Sequence, residues 1–201
     1  SAEPLIHAMS VDETSTPGDA PMDDSVGQAI LDACTVVACI APHVHAELHG
    51  SLVRLLDALV RITQNEHMVL RSAGACCFSV LTKCITDKAM HVLVERIVPM
   101  LGDSTLLHRQ GAMEVISRTV RVQDERLLPY VLFLVVPVLG RMNDSDESVR
   151  LLATNTFAEL VKLVPLIHGL PDPPNFSPAL LARREEEKAF LSQLLDGSKV
   201  E

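Results

Sequence analysis

The chain of 201 residues is 48% apolar, carries a formal net charge of −9, and has one Tyr, five Phe and no Trp. That length suffices for one ordinary core or several short repeats, and a core so poor in aromatics has to come from Leu, Val, Ile, Ala and Met, the residues of helix-on-helix packing. The charge excludes a general phosphate-binding surface, because six acids and no base fall in residues 1–25 and the rest is nearly balanced, with 20 acids against 17 bases.

Residues 1–24 are rich in Pro, Ser and Asp and lack periodicity, so a disordered acidic linker is expected there. Residues 25–41 (SVGQAILDACTVVACIA) read as half a repeat, a single helix whose Ala29, Ala33, Val36, Val37 and Ile40 need a neighbour. No polar capping repeat precedes it, so the array is expected to continue beyond the chain's start.

From residue 45 the sequence repeats itself. Arg71, Arg109 and Arg150 are spaced 38 and 41 residues apart. Three positions after each comes a small residue (Gly74, Ala112, Ala153), and seven after comes a large apolar one (Phe78, Ile116, Phe157). Six before each comes Asn65, Asp103 or Asp144, and Pro99 and Pro137 mark a further column. Agreement of independent columns on one period predicts units at about 45–85, 88–121 and 125–164, each a pair of helices. The extra residues of the second spacing fall in the turn RMNDSDES, where insertion costs little.

An Asp or Asn in the turn can accept free N–H groups at the start of the second helix. An Arg in the first turn opposes the helix dipole and needs a compensating partner. A structural ladder of Asn65, Arg71, Asp103, Arg109, Asp144 and Arg150 is therefore expected along the stack. Here the chain resembles HEAT repeats, whose pattern includes a turn Asp and a Val-Arg opening the second helix. Asp144 and Val149-Arg150 match best; the other units have Leu70 and His108 in place of Val. The expected class is all-α, an α-solenoid of HEAT-type helical hairpins over 25–168. Residues 169–201 then form a Pro-rich turn (GLPDPPN) and a connector helix that Ser177 caps and Pro178 opens.

Candidate chemistry is sparse. His43, His45 and His49 form the one metal-like cluster, but no acid or Cys completes a tetrahedral set and HExxH is absent. The five cysteines (Cys34, Cys39, Cys76, Cys77, Cys84) lack disulfide or CxxC spacing and fit a reducing compartment. No GxxxxGK[ST] loop occurs, and Glu185-Glu186-Glu187 between basic residues reads as a charged helix face. The most apolar window, 127–140, falls short of the roughly 20 residues a membrane span needs. The expectation is a soluble, non-catalytic scaffold with no cofactor, no membrane and no direct nucleic-acid contact.

The stretches VRLLATNTFAELVKLVP, GLPDPPNFSPALL and FLSQLLDGSKVE resemble the end of the HEAT array in the Snf2-type ATPases that remove TATA-binding protein from DNA. The resemblance implies a nuclear protein that regulates transcription. Its array would hold TATA-binding protein while a C-terminal DNA-dependent ATPase domain of the same full-length chain does the work. That family's grip on its partner lies mainly toward the beginning of the array, so no partner-contacting residue is carried over, and the helicase-type motifs are absent from these 201 residues. The implied role is coupling of array to motor. The alternative is a free-standing HEAT adaptor of the transport or phosphatase-scaffold type; a metal-dependent enzyme using the histidines ranks third.

Overall fold

A computed structural model describes residues 24–122, 125–163 and 176–197. Of the expected linker at 1–24 only Asp24, which begins the first helix, is described, and the Pro-rich turn at 169–175 lies outside the described residues. The regular elements among those described are all helical.

Helix α1 (Asp24–Ile40) buries Ile30, Ala33, Cys34 and Val37. Ala29, Val36 and Ile40, expected to seek a neighbour, are exposed instead. A run this uniformly apolar has no unique face, and packing on the next second helix selects the arc through Ile30 and Cys34. By length and composition Ser25–His43 could also cross a membrane; in this fold about a third of it is buried, along one face of α1. Short 3-10 turns, Ala41–His43 and Ala46–Leu48, lead into α2 (His49–Ile62) and α3 (Met68–Cys84).

Helix α4 begins as Thr86–Val92, widens into a π turn at Leu93–Ile97, and ends as Val98–Met100. Pro99 explains the widening, because it has no N–H to donate one turn back and its ring crowds that carbonyl. Helix α5 (Leu106–Val122) follows, then a 3-10 stretch Glu125–Tyr130 and α6 (Val131–Arg141), which carries Pro137. Helices α7 (Glu147–Leu163) and α8 (Pro178–Gly197) complete the described chain.

The helices form two layers with one continuous core between them. In the second-helix layer α1 packs on α3, α3 on α5 and α5 on α7; between the layers α2 packs on α3, the end of α4 on α5, and α6 on α7. Leu59, Phe78, Leu81, Leu93, Ile97, Ile116, Phe133 and Leu160 are sealed between the layers. The repeat column is uneven at its end: Phe78 and Ile116 are fully buried, whereas Phe157 is half-buried and Thr156 takes the inward position. Helix α7 is the last second helix among the described residues, and none of those residues stacks on its far side as α5 does on α3.

Helix α8 lies across α6. Ser177 Oγ accepts the N–H of Leu180 at 3.3 Å, which caps it. The middle of α8 departs from the expected solvated face: Arg184 and Glu187 are buried, and Arg183 Nε donates to Glu187 at 2.8 Å. Burial pushes the Glu187 carboxyl upward, with the Arg183 charge opposing.

Candidate functional site

Each repeat opens its second helix with the same local geometry. The turn residue Asn65, Asp103 or Asp144 accepts, through Oδ1, the backbone N–H two residues on (His67, Thr105, Asp146; 2.9, 2.8 and 3.0 Å). Those N–H groups belong to the residues preceding the helices, so the Asx turn orients the entering chain rather than capping the helix directly. The cap of α7 is Asp146, which accepts from Val149 N–H at 3.1 Å. Each Arg then reaches back with Nη1 to two turn carbonyls: Arg71 to Asn65 and Glu66, Arg109 to Asp103 and Ser104, Arg150 to Asp144 and Ser145, all at 2.8–3.0 Å. The guanidinium thereby satisfies carbonyls that the tight turn leaves open.

Across repeats the contacts diverge. Arg109 Nε donates to Asp144 Oδ2 at 3.0 Å and its Nη2 to Oδ1 at 3.2 Å; the Asp144 side chain is 1% exposed and that of Arg109 11%. Arg141 also reaches Asp144 at 3.2 Å. Burial alone would raise the Asp144 carboxyl, but the Asp146 N–H, Arg109 and Arg141 together hold it below its ordinary range. Asp103 does not meet Arg71. Its Oδ2 pairs with His108 Nδ1 at 2.9 Å, and that bond with the Thr105 N–H brings its carboxyl down to about 2. Arg71 instead donates to Gln110 Oε1 at 3.2 Å, and Gln110 donates on to Ser148 Oγ at 3.1 Å. The Arg–Asp contact expected between repeats forms once, at Arg109–Asp144, and a glutamine bridges the earlier joint.

Several linking residues, Gly74 apart, carried no sequence signal. Gly111 approaches Thr63 so closely that a Cβ would stand 1.8 Å from its carbonyl oxygen, and a Cβ on Gly74 would stand 2.7 Å from Ile62 Cγ2. Gly74 falls in the repeat column; Gly111 precedes it by one register and has no counterpart. Asp57 pairs with Arg96 across the first-helix layer, and Arg118 Nη2 donates to Ser72 Oγ at 2.7 Å across the second. Phe176 stacks on Phe133 with centroids 5.2 Å apart and meets His91 and Tyr130 at 5.6 Å. It thereby ties the start of α8 to α4 and α6. An aromatic just past a Pro-rich turn gave no periodic signal.

Beside the ladder runs a groove of about 180 Å³ across α3, α5 and α7, lined by Met68, Leu152, Arg71, Gln110, Glu114 and Ser148, with Met113 and Val149 buried beneath it. Met68 is 69% exposed and nearby Leu151 64%. Such a surface suits an apolar side chain of a protein partner. Among the described residues no three His, Cys, Asp or Glu converge as a metal would require. Cys34 and Cys77 are buried and, like the other cysteines, free.

A stack of helical hairpins joined through its turns, with a surface groove and a docked terminal helix, defines a helical-repeat scaffold. A family profile described as the HEAT repeats of stalled-ribosome-sensor GCN1-like proteins matches residues 31–167, and the chain belongs to this HEAT-repeat family. Its curated relatives are more particular. It is 45% identical over 199 residues to the TATA-binding protein-associated factor mot1 of Aspergillus fumigatus, covering 98% of this chain and 10% of the relative. The mot1 factor of Schizosaccharomyces pombe is 45% identical over 180 residues (88% of this chain, 9% of the relative). The human TATA-binding protein-associated factor 172 is 39% identical over 181 residues (89% and 10%). The chain spans about a tenth of the length of these relatives.

Proposed function

We propose that the chain is a non-catalytic scaffold segment of a nuclear, Snf2-type ATPase that dissociates TATA-binding protein from DNA and thereby regulates transcription. The observation that carries this reading is the similarity, over 88–98% of the chain, to proteins named as TATA-binding protein-associated factors. It favours this over a free-standing adaptor. Within such a protein the segment couples an array that holds TATA-binding protein to the ATPase domain. Stacked hairpins joined by buried polar contacts bend little, and α8 is fixed to them through Phe176 and the α6 surface, so displacement at one end is transmitted to the other.

The test is Phe176→Ala in the full-length protein. ATP-driven release of TATA-binding protein from promoter DNA is expected to fall several-fold, while DNA-stimulated ATP hydrolysis and binding of TATA-binding protein persist. Unchanged release, or a full-length protein without ATPase activity, overturns the proposal.

A further inference from the structure

The histidine cluster is not absorbed by the scaffold role, and the fold places it around a cavity. Residues 41–49 make two short 3-10 turns, so that His43, His45 and His49 line an open cavity of about 580 Å³ closed on its other side by Lys83 and Cys84 at the end of α3. Its remaining lining is Ala41, Pro42, Val44 and Ala46, with no carboxylate. One acid, Glu47, lies 3.9 Å from His45 Nδ1 and is almost fully exposed.

The cavity gathers donors. His45 Nδ1 accepts the Glu47 backbone N–H at 3.5 Å, which leaves Nε2 as its N–H. Lys83 adds an ammonium with three donors. The end of α3 would normally present bare carbonyls, which repel anions. Here Val80 O accepts from Cys84 Sγ, Leu81 O from the Ile85 N–H, and Lys83 O from Arg126 Nη1 at 3.1 Å. That last bond also brings a guanidinium charge behind the cavity wall.

A metal ion is disfavoured, because these imidazoles and Cys84 do not converge. Duplex DNA is disfavoured too. It presents about one charge per 1.7 Å of axis and calls for an extended basic track, whereas the lining of this cavity holds one lysine, Lys83, among three histidines. An isolated group of donors around one cavity suits a single, compact anion with several acceptor oxygens, as a phosphoryl group on a side chain provides. We infer that the cavity formed by His43, His45, His49 and Lys83 binds a phosphorylated serine or threonine of a protein partner.

The test titrates the 201-residue chain with a peptide carrying one phosphoserine among neutral residues, and with its unphosphorylated twin. Imidazole resonances of the three histidines report the site. Phosphate-dependent binding is expected, weakened about tenfold or more by Lys83→Ala and by His43→Ala with His49→Ala, in line with loss of a charged hydrogen bond. Thermal melting checks that both variants fold, and Lys83→Gln serves where Lys83→Ala does not. Inorganic phosphate alone should shift the same resonances in the unmodified chain. Equal binding of the twin peptide, indifference to the substitutions, stoichiometric capture of zinc chloride by the histidines, or tighter occupancy by a DNA duplex would each overturn the inference.

Discussion

A methyl group on Gly111 would stand 1.8 Å from the Thr63 carbonyl oxygen, so Gly111→Ala requires backbone of α5 or α2 to move. Overpacking of this kind costs about 2–3 kcal/mol, and urea denaturation should show the midpoint fall; an unchanged midpoint would mean that the two helices separate freely. The Arg109–Asp144 pair acts at the next joint. Arg109→Ala leaves a buried carboxylate with Arg141 as its remaining cationic partner and frees the carbonyls of Asp103 and Ser104. A loss of about 3 kcal/mol is expected. Acid should weaken the same joints. Asp103 at about 2, with the lowered Asp144 and Asp146, binds protons less readily folded than unfolded. The stability these acids contribute is complete above the ordinary carboxylate range near pH 4 and is lost as pH falls through their lowered folded values, about 2 for Asp103. Midpoints measured across that window should drop in the unmodified chain and drop less in Asp103→Asn.

At the scale of elements, the hairpin rhythm could be read from sequence because each second helix reuses one local solution: an Asx turn, an Arg closing on two carbonyls, a small residue, a large apolar one. Such local chemistry leaves a spacing behind. Contacts between elements leave none. Gln110 bridges Arg71 to Ser148 only because of how α3, α5 and α7 approach, and its own position does not repeat, being Ser72 and Leu151 in the other units. The buried face of α1 and the buried middle of α8 escaped reading for a related reason, since an all-apolar or all-charged run does not say which side a neighbour will cover. Phe176 is the clearest case, an isolated aromatic whose importance comes from three rings drawn from separate elements. Phe176→Ala should cost α8 about 2–3 kcal/mol of docking, from lost apolar contact and ring stacking. Hydrogen exchange would show α8 amides losing protection while α3 and α5 keep theirs. Equal loss in all three would mean that α8 is part of the core rather than docked on it.

For the whole molecule, the order of packing sets how damage spreads. Among the described residues each second helix touches only its immediate neighbours in the stack, so stability is close to a sum of repeats and the joints between them. Val115 in α5 and Leu160 in α7 are both fully buried, and Asp at either position places an unpaired charge in the core at a cost of several kcal/mol. The consequences should differ. Leu160→Asp opens the α6–α7 hairpin and releases α8, while α1 to α4 still have their mutual contacts and the Asp57–Arg96 pair. Val115→Asp strikes the repeat that both neighbours lean on, through Gln110 toward α7 and through Gly111 toward α2, and leaves neither side a complete partner. Hydrogen exchange should therefore show protection lost from residue 125 onward in Leu160→Asp with α3 intact, and lost throughout in Val115→Asp. Loss across every helix in both variants would instead identify one cooperative unit, in which a signal could not be confined to the end that receives it.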